Sequence, residues 1–339
     1  MTDTSSIKEA RSTQWISPLS VTLGFAEIIA DIAATAAARE REHRLPRDEI
    51  ARLKAIGFGA LRLPSDRGGH GVSLTELLVV ARDVAAADSN IAHAFRNHLW
   101  QVETALRKRD HPFHAHVLAL SAEKKTVGLS FTESDVKAAG ARPTQVLSRL
   151  EWDASRDQYV GSGEKVYATG NLYNDAFVGL AVESRAGRTV QYVLERSAGV
   201  SNDDDWQGFG QRLTGSGTAR FRDVTVPAAH LYPLDPPASE HAAPWGFTFH
   251  QVYLTNCIAG IVRRVALDAV DVLRTRGRNF YHGEAEHPAD EPVLQSQLGR
   301  IRAYAASVEA TADRAVAALQ RAWDAYGTDG EYEATLAAT

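Results

Sequence analysis

The stretch Ser89-Asn90-Ile91-Ala92-His93-Ala94-Phe95-Arg96-Asn97-His98 is the part of the chain best equipped to move a proton. His93 and Asn97 are four residues apart, so on a helix they share one face. Imidazole is also the side chain whose ordinary pKa lies nearest neutrality. Three more histidines, His111, His114 and His116, form a short tract of the kind that can bind metal. Neither a cysteine nor a carboxylate cluster accompanies them, so no metal site is expected. Ser201-Asn202-Asp203-Asp204-Asp205 is an acidic turn without EF-hand spacing and reads as a solvated loop. Gly208-Phe209-Gly210 through Gly217 is glycine-rich but precedes a strand, so it is not a phosphate cradle at a helix start. The chain has no G-x-G-x-x-G strand–turn–helix unit and no G-x-S-x-G elbow. Neither a nicotinamide site nor a serine hydrolase is expected.

The elements that must position these groups change character along the chain. From Leu23 to about Asp110 the pattern is helical: Phe25, Ile28, Ile29 and Ile32 recur at helical spacing. Pro46 opens a helix carrying Ile50, Leu53 and Ile56, and Gly57 stops it. Ser73 and Glu76 form a capping box ahead of Leu77, Val80 and Val84, and a fourth helix begins after Ser89. Near Lys125 the texture turns to short strands at Thr126–Ser130, Gln145–Trp152, Glu164–Thr169, Ala176–Val182, Thr189–Leu194 and Thr218–Val226. Strands without intervening helices point to a barrel or sandwich. A linker with Pro233, Pro236, Pro237 and Pro244 then leads to two long apolar helical stripes, from Ile258 to Leu273 and from Leu294 to Trp323. Two such helices cannot bury their stripes alone, so the bundle reads as incomplete and an exposed apolar patch is expected.

The fold class predicted is a multi-domain α+β protein. Its parts are an N-terminal helical domain over 1–124, a central antiparallel β-barrel over 125–232 and a C-terminal helical bundle over 233–339. At 339 residues with 44% hydrophobic and 23% charged residues the composition is that of a globular protein. A net charge of −5 argues against a nucleic-acid binder. One cysteine, Cys257, fits a reducing compartment and reads as a buried inert thiol. The polar segment from Met1 to Gln14 lacks the apolar core of a signal peptide, and no run approaches a membrane span. A cytoplasmic protein is expected.

Four local patterns, in order, carry a family resemblance. They are Gly57-Phe58-Gly59 through Leu63-Pro64 and Gly68-Gly69-His70-Gly71; Leu129-Ser130-Phe131-Thr132-Glu133; Lys165-Val166-Tyr167-Ala168-Thr169-Gly170 with Asn174-Asp175; and Arg212-Leu213-Thr214-Gly215-Ser216-Gly217 with Phe221 and Val224 to Pro227. Together they resemble the acyl-CoA dehydrogenase superfamily. Within it, the stretch from Tyr167 to Asp175 is similar to the two-component monooxygenases that act on dibenzothiophene, alkyl sulfones and aromatic compounds. Leu254 stands where one dehydrogenase subgroup keeps its glutamate. Ser134-Asp135-Val136-Lys137 lacks the dehydrogenase "PGAGSD", and the segment from Arg278 to Gly283 departs from the "R..FG" that helps hold an FAD adenylate.

The resemblance implies binding of reduced FMN supplied by a separate reductase, with FAD as the alternative cofactor. It implies reaction with O2 through a flavin C4a-hydroperoxide, oxygenation of a small organosulfur or aromatic substrate, and a homotetramer. It also implies that Leu129, Phe131 and Thr132 form part of the flavin wall and that Tyr167 and Thr169 lie beside the ring. Arg212, Thr214 and Ser216 would sit near the phosphate or ribityl chain, with Arg278 as a further cofactor contact. His98 is the expected catalytic histidine, ahead of His93, with Asn97 beside them. The alternatives are an FAD-dependent acyl-CoA dehydrogenase and a non-catalytic flavin-binding or nucleic-acid-associated relative.

Overall fold

Residues 14–134, 146–234 and 245–338 are described by the computed structural model. The expected readings of 1–13, of Asp135 to Lys137, of Gln145 and of Pro236, Pro237 and Pro244 lie outside them. Helix α1 (Pro18–Thr22) is capped by Ser17, whose hydroxyl accepts from the Ser20 N–H. Helix α2 (Ala26–Glu42) follows, and Phe25, Ile28, Ile29 and Ile32 are all buried. Helix α3 (Arg47–Ala55) starts after Pro46 and ends before Gly57, which adopts φ +88°. Then come α4 (Leu74–Ala87), α5 (Ser89–Arg107) and α6 (Pro112–Ala122). Helix α6 covers the histidine tract. His111 caps it, with Nδ1 accepting from the Phe113 N–H, and Pro112 supplies the first-turn φ. After the strands, α7 (Trp245–Thr275), α8 (Pro292–Asp324) and the short α9 (Glu331–Leu336) complete the described helices.

The eight strands are β1 (Val127–Ser130), β2 (Arg149–Asp153), β3 (Gln158–Lys165), β4 (Ala176–Glu183), β5 (Thr189–Glu195), β6 (Val200–Asn202), β7 (Ala219–Val226) and β8 (Leu231–Pro233). They form one sheet in the order β6-β7-β3-β2-β4-β5-β8, with β1 added alongside β4. The expected antiparallel β-barrel is corrected to a mixed sheet that does not close. Both β1 and β2 run parallel to β4, while the other pairings are antiparallel. The sheet curls around one core, because Val200 near one edge and Leu231 near the other join the same buried cluster as Phe177, Tyr192 and Phe221.

Strand β3 also differs from expectation. It occupies Gln158–Lys165 and not Glu164–Thr169, and its polar, glycine-containing first half hides the usual strand signal. Beyond Lys165 only Val166 bridges, to Thr132, and Tyr167 at φ +56° turns the chain out of the sheet.

The described residues fall into two compact units. The first comprises 14–36, 74–92 and 247–338. In it Asp83, fully buried on α4, accepts from the Ser17 N–H at 2.9 Å, the Ser20 hydroxyl at 2.7 Å and Arg263 at 2.7 Å. Arg263 also donates to Glu309, and Arg82 donates to Asn256 at 2.8 Å. Gly260 lets α7 approach α4 closely, since a Cβ there would stand 2.7 Å from the Arg82 carbonyl. On another face of α7, Ile258, Ile261, Val265 and Val272 are exposed, and Cys257 is buried. No described helix is long and apolar enough to cross a membrane.

The second unit comprises 37–73, 93–134, 146–234 and 245–246, and it contains the whole sheet. Its most demanding interaction is a buried ion pair, Lys165 Nζ donating to Glu133 Oε1 at 2.7 Å and to the Leu180 carbonyl at 2.9 Å. Burial lowers the Lys165 pKa, against the pull of Glu133. Burial also opposes ionisation of Glu133, but the Leu147 N–H, Lys165 and Ser148 outweigh it and hold the carboxyl below its usual range. The pair ties the chain after β1 to the end of β3. Removing one member leaves the other charged and unpaired, a loss of about 3–5 kcal/mol. Lys165→Met is therefore expected to lower the unfolding midpoint sharply, and adding Glu133→Gln to recover part of the loss. Thermal melts of the two variants check this; equal midpoints for Lys165→Met and the wild type would refute it.

Candidate functional site

Helix α5 supplies the first wall, and almost every residue on it is buried or half-buried. Its polar groups must therefore find partners within the protein. Asn97 Nδ2 donates to the Thr169 carbonyl at 3.1 Å. His98, wholly buried, is used twice: Nδ1 accepts from the Val127 N–H at 3.1 Å, so Nε2 carries the hydrogen and donates to the Gly59 carbonyl at 3.0 Å. A Cβ at Gly59 would lie 2.6 Å from His98 Nε2, so only glycine permits that contact. Both ring nitrogens are committed to backbone, and neither remains for a ligand. His98 thus fastens the 58–60 turn and β1 to α5.

His93 differs. Its Nδ1 donates to Gln211 Oε1 at 3.1 Å, and its Nε2 is buried with no partner among the described residues. Burial, aided by the nearby Arg96, lowers its pKa to about 4, against the Gln211 hydrogen bond. Burial also takes His98 down to about 4. Both rings are neutral at pH 7, and His93 Nε2 presents a bare lone pair.

The second wall is the segment leaving β3. Tyr167 is 65% exposed, its ring edge-on to Trp206 at 6.2 Å, so it stands off the sheet and does not fill it. Thr169 is nearly buried and ends a chain of hydroxyls. Thr214 Oγ1 lies 2.7 Å from Ser216 Oγ, and Ser216 donates to Thr169 Oγ1 at 2.9 Å. The Thr169 hydroxyl hydrogen is left uncommitted among the described residues. Asn171 braces this wall against β1, donating to Ser130 Oγ at 2.8 Å. Arg47 donates to the Leu172 carbonyl at 3.0 Å, and Lys54 pairs with Asp175.

Leu129 and Phe131 are half-buried on and just beyond β1, and Thr132 is exposed at its bridge to Val166. Phe131 meets the Trp100 ring edge-on at 6.4 Å. Arg212 is half-exposed; it donates to His43 Nδ1 at 3.0 Å and lies 3.8 Å from Glu40. Arg278 is exposed in the first compact unit, on the segment after α7, where its carbonyl accepts from Arg276. The second unit thus brings together His93, Asn97, Thr169, Thr214 and Ser216.

Sequence reasoning missed Gln211 and Asn171. Asn171 lies inside the Tyr167–Asp175 stretch and Gln211 just before Arg212, but neither amide's type or spacing signals its role. The acidic turn is fastened as well: Asp203 pairs with Arg220, Asp204 approaches His43 at 3.3 Å and Asp205 accepts from the Thr218 hydroxyl at 2.6 Å. Of the tract histidines, His111 caps α6, His114 is buried against Tyr232, and His116 stacks on His230 at 4.0 Å.

The two depressed histidines set an acid limit on stability. Between about pH 6.5 and pH 4 the unfolded chain binds protons at both rings that the folded chain refuses. Their contribution is complete above pH 6.5 and is lost as pH falls towards 4, at about 1.4 kcal/mol per pH unit for each ring. The unfolding midpoint is expected to drop from pH 7 to pH 5. His98→Gln, less stable at pH 7, should show a shallower drop, and a slope as steep as the wild type would contradict the assignment.

Residues 25–108 match the family of the acyl-CoA dehydrogenase N-terminal domain. The chain is 27% identical over 301 residues to a probable FMNH2-dependent monooxygenase, SfnC, from Pseudomonas putida, covering 88% of this chain and 73% of that protein. It is 25% identical over 324 residues to the dibenzothiophene monooxygenase of Rhodococcus qingshengii, covering 91% and 74%. Its fold is similar to that of the methanesulfinate monooxygenase MsuC from Pseudomonas fluorescens, with a TM-score of 0.76 at 24% identity over 95% of this chain and 83% of that one. Residues 25–108 thus match an acyl-CoA dehydrogenase N-terminal domain, and over most of its length the chain is similar to relatives named as monooxygenases.

Proposed function

We propose that the protein is a cytoplasmic FMNH2-dependent monooxygenase, supplied by a separate flavin reductase, that oxygenates a small organosulfur or aromatic compound. The observation that carries this reading is His93: a buried, neutral imidazole whose Nε2 has no partner, facing the same side as Asn97 and the Thr169 hydroxyl chain. An unsatisfied buried acceptor beside an uncommitted hydroxyl hydrogen fits the edge of a flavin ring, which offers both donors and acceptors. Two sequence relatives support the same chemistry by name, one FMNH2-dependent and one acting on dibenzothiophene. The tetramer implied by the resemblance belongs to this proposal as well.

In this reading Leu129, Phe131 and Tyr167 pack on the ring, Thr169 donates to its polar edge, and Thr214 and Ser216 hold Thr169 in register. Arg212 is the candidate phosphate contact in the second unit. Reduced FMN, when bound, supplies two electrons to O2 and transfers one oxygen atom to the substrate, the other leaving as water. His93 contributes as a base, its bare Nε2 being open to accept a proton, with Nδ1 pinned by Gln211 so that the lone pair stays in place.

The test mixes the protein, titrated anaerobically with photoreduced FMN, with oxygenated buffer and candidate organosulfur and aromatic substrates. Wild type is expected to form oxygenated product. His93→Ala should keep its FMN affinity within about twofold while product formation falls by about 100-fold, the usual weight of a positioned proton carrier. Bleaching of bound FAD by an acyl-CoA, with no oxygen-dependent product, would instead establish the dehydrogenase.

A further inference from the structure

Strand β4 starts beside the candidate site, at Ala176 just after Asn174-Asp175, and ends at Glu183, about 23 Å away at 3.3 Å per residue. At that far end a cavity of about 580 Å³ opens between the β4–β5 hairpin, the start of α6 and the chain around β8. Its volume falls in the range of small-molecule pockets. Val190, Leu231 and Pro233 give it an apolar floor, and the buried side chains of Tyr159 and Glu183 complete it. All of these residues belong to the second unit.

Glu183 shapes the rim. Its carboxylate accepts from the Tyr159 hydroxyl at 3.0 Å and from the N–H groups of Arg185 and Ala186 at 2.9 Å each. The Arg188 N–H reaches it at 3.4 Å. The hairpin turn is thus wrapped around one anion, with Gly187 at φ +66° closing it. That turn carries the exposed side chains of Arg185 and Arg188 to the mouth of the cavity. Neither guanidinium has a hydrogen bond or an ion pair among the described residues. Arg185 stands over the Trp152 ring at 4.7 Å, a contact that holds the group and leaves its N–H fork for another partner.

The charge balance at this mouth narrows the ligand. Glu183 is the one carboxylate in the lining, and its lone pairs are already taken by the hydroxyl and the turn N–H groups. His111 and Pro112 bring the N-terminus of α6 to the cavity, and a helix N-terminus carries partial positive charge. Two unpaired guanidiniums above an apolar floor match an anion on a hydrocarbon body, and the planar fork of arginine matches a carboxylate. We propose that this cavity is a second ligand site that takes a small organic carboxylate, separate from the candidate flavin site at the other end of β4. The acid group meets Arg185 and Arg188, and the hydrocarbon part rests on Val190, Leu231 and Pro233. The assignment does not depend on the monooxygenase reading.

Calorimetric titration of the full chain with benzoate and with hexanoate tests this, with benzamide as the neutral match and inorganic phosphate as a bare anion. Wild type is expected to bind one of the two carboxylates saturably, one per chain, with benzamide and phosphate each about tenfold or more weaker. Arg188→Gln and Arg185→Gln should each weaken the carboxylate by about tenfold, the weight of one charge-assisted hydrogen bond. Both side chains are exposed, so thermal midpoints should match the wild type and show that the hairpin is intact. Bound carboxylate should leave the affinity for FMN unchanged. Absence of saturable binding by both carboxylates, phosphate binding as tightly as either, or full affinity in both arginine variants would each overturn the site. Displacement of FMN by the carboxylate would overturn it too, by placing the ligand at the other end of β4.

Discussion

A helix buried on nearly all sides must satisfy its polar groups inside the protein, and α5 carries an unusual number of them. Two are met by backbone: Asn97 by the Thr169 carbonyl, His98 by Gly59 and Val127. Glu103 is met by Arg62, although burial still raises its carboxyl pKa. Each of these bonds fastens a different segment of the second unit to the same helix. The 58–60 turn, the start of β1 and the segment leaving β3 thereby take fixed positions relative to α5. Desolvation makes the arrangement obligatory, since a lost bond leaves its partner buried and unpaired.

The same constraint separates groups whose bonds are met from groups left open. His93 and His98 have equal chemistry and nearly equal burial-lowered pKa values, yet one has both nitrogens bonded and the other keeps a bare Nε2. They are five residues apart, which on an α-helix turns the second ring about 140° from the first. His98 faces the Gly59 turn and β1, while His93 faces Gln211 and the hydroxyl chain. What separates the two is therefore helical phase, and the expectation that favoured His98 rested on a short string of residue types that carries no phase.

Much of the fold was legible in the sequence where periodicity is strong. The Phe25-Ile28-Ile29-Ile32 stripe, the break at Gly57 and the long stripes of α7 and α8 appear as read. The sheet was legible strand by strand but not in its pairing. Nothing local in Val127–Ser130 or Arg149–Asp153 states that both run parallel to β4. Strand β3 escaped because Gln158-Tyr159-Val160-Gly161-Ser162-Gly163 mixes polar and glycine residues. Its partners β2 and β7 decide its state, and intrinsic preference does not. Helix α6 was hidden behind the chemical interest of its histidines.

The site was legible at the level of segments and not of atoms. Three of the four motifs contribute residues to the candidate walls, and of the partners that set direction only Asn171 lies within one. Gln211, at φ +55° in its turn, orients His93; Asn171 occupies the space above Gly128, where a Cβ would come within 1.9 Å of its amide oxygen. Such contacts join residues 29 to 118 positions apart, as Val127 to His98 and His93 to Gln211 do. Proton direction at His93 is thus fixed by a side chain from a distant turn, and a family pattern read along the chain names the imidazole without saying which nitrogen is free. Only the closed hydrogen-bond inventory of the buried helix does that.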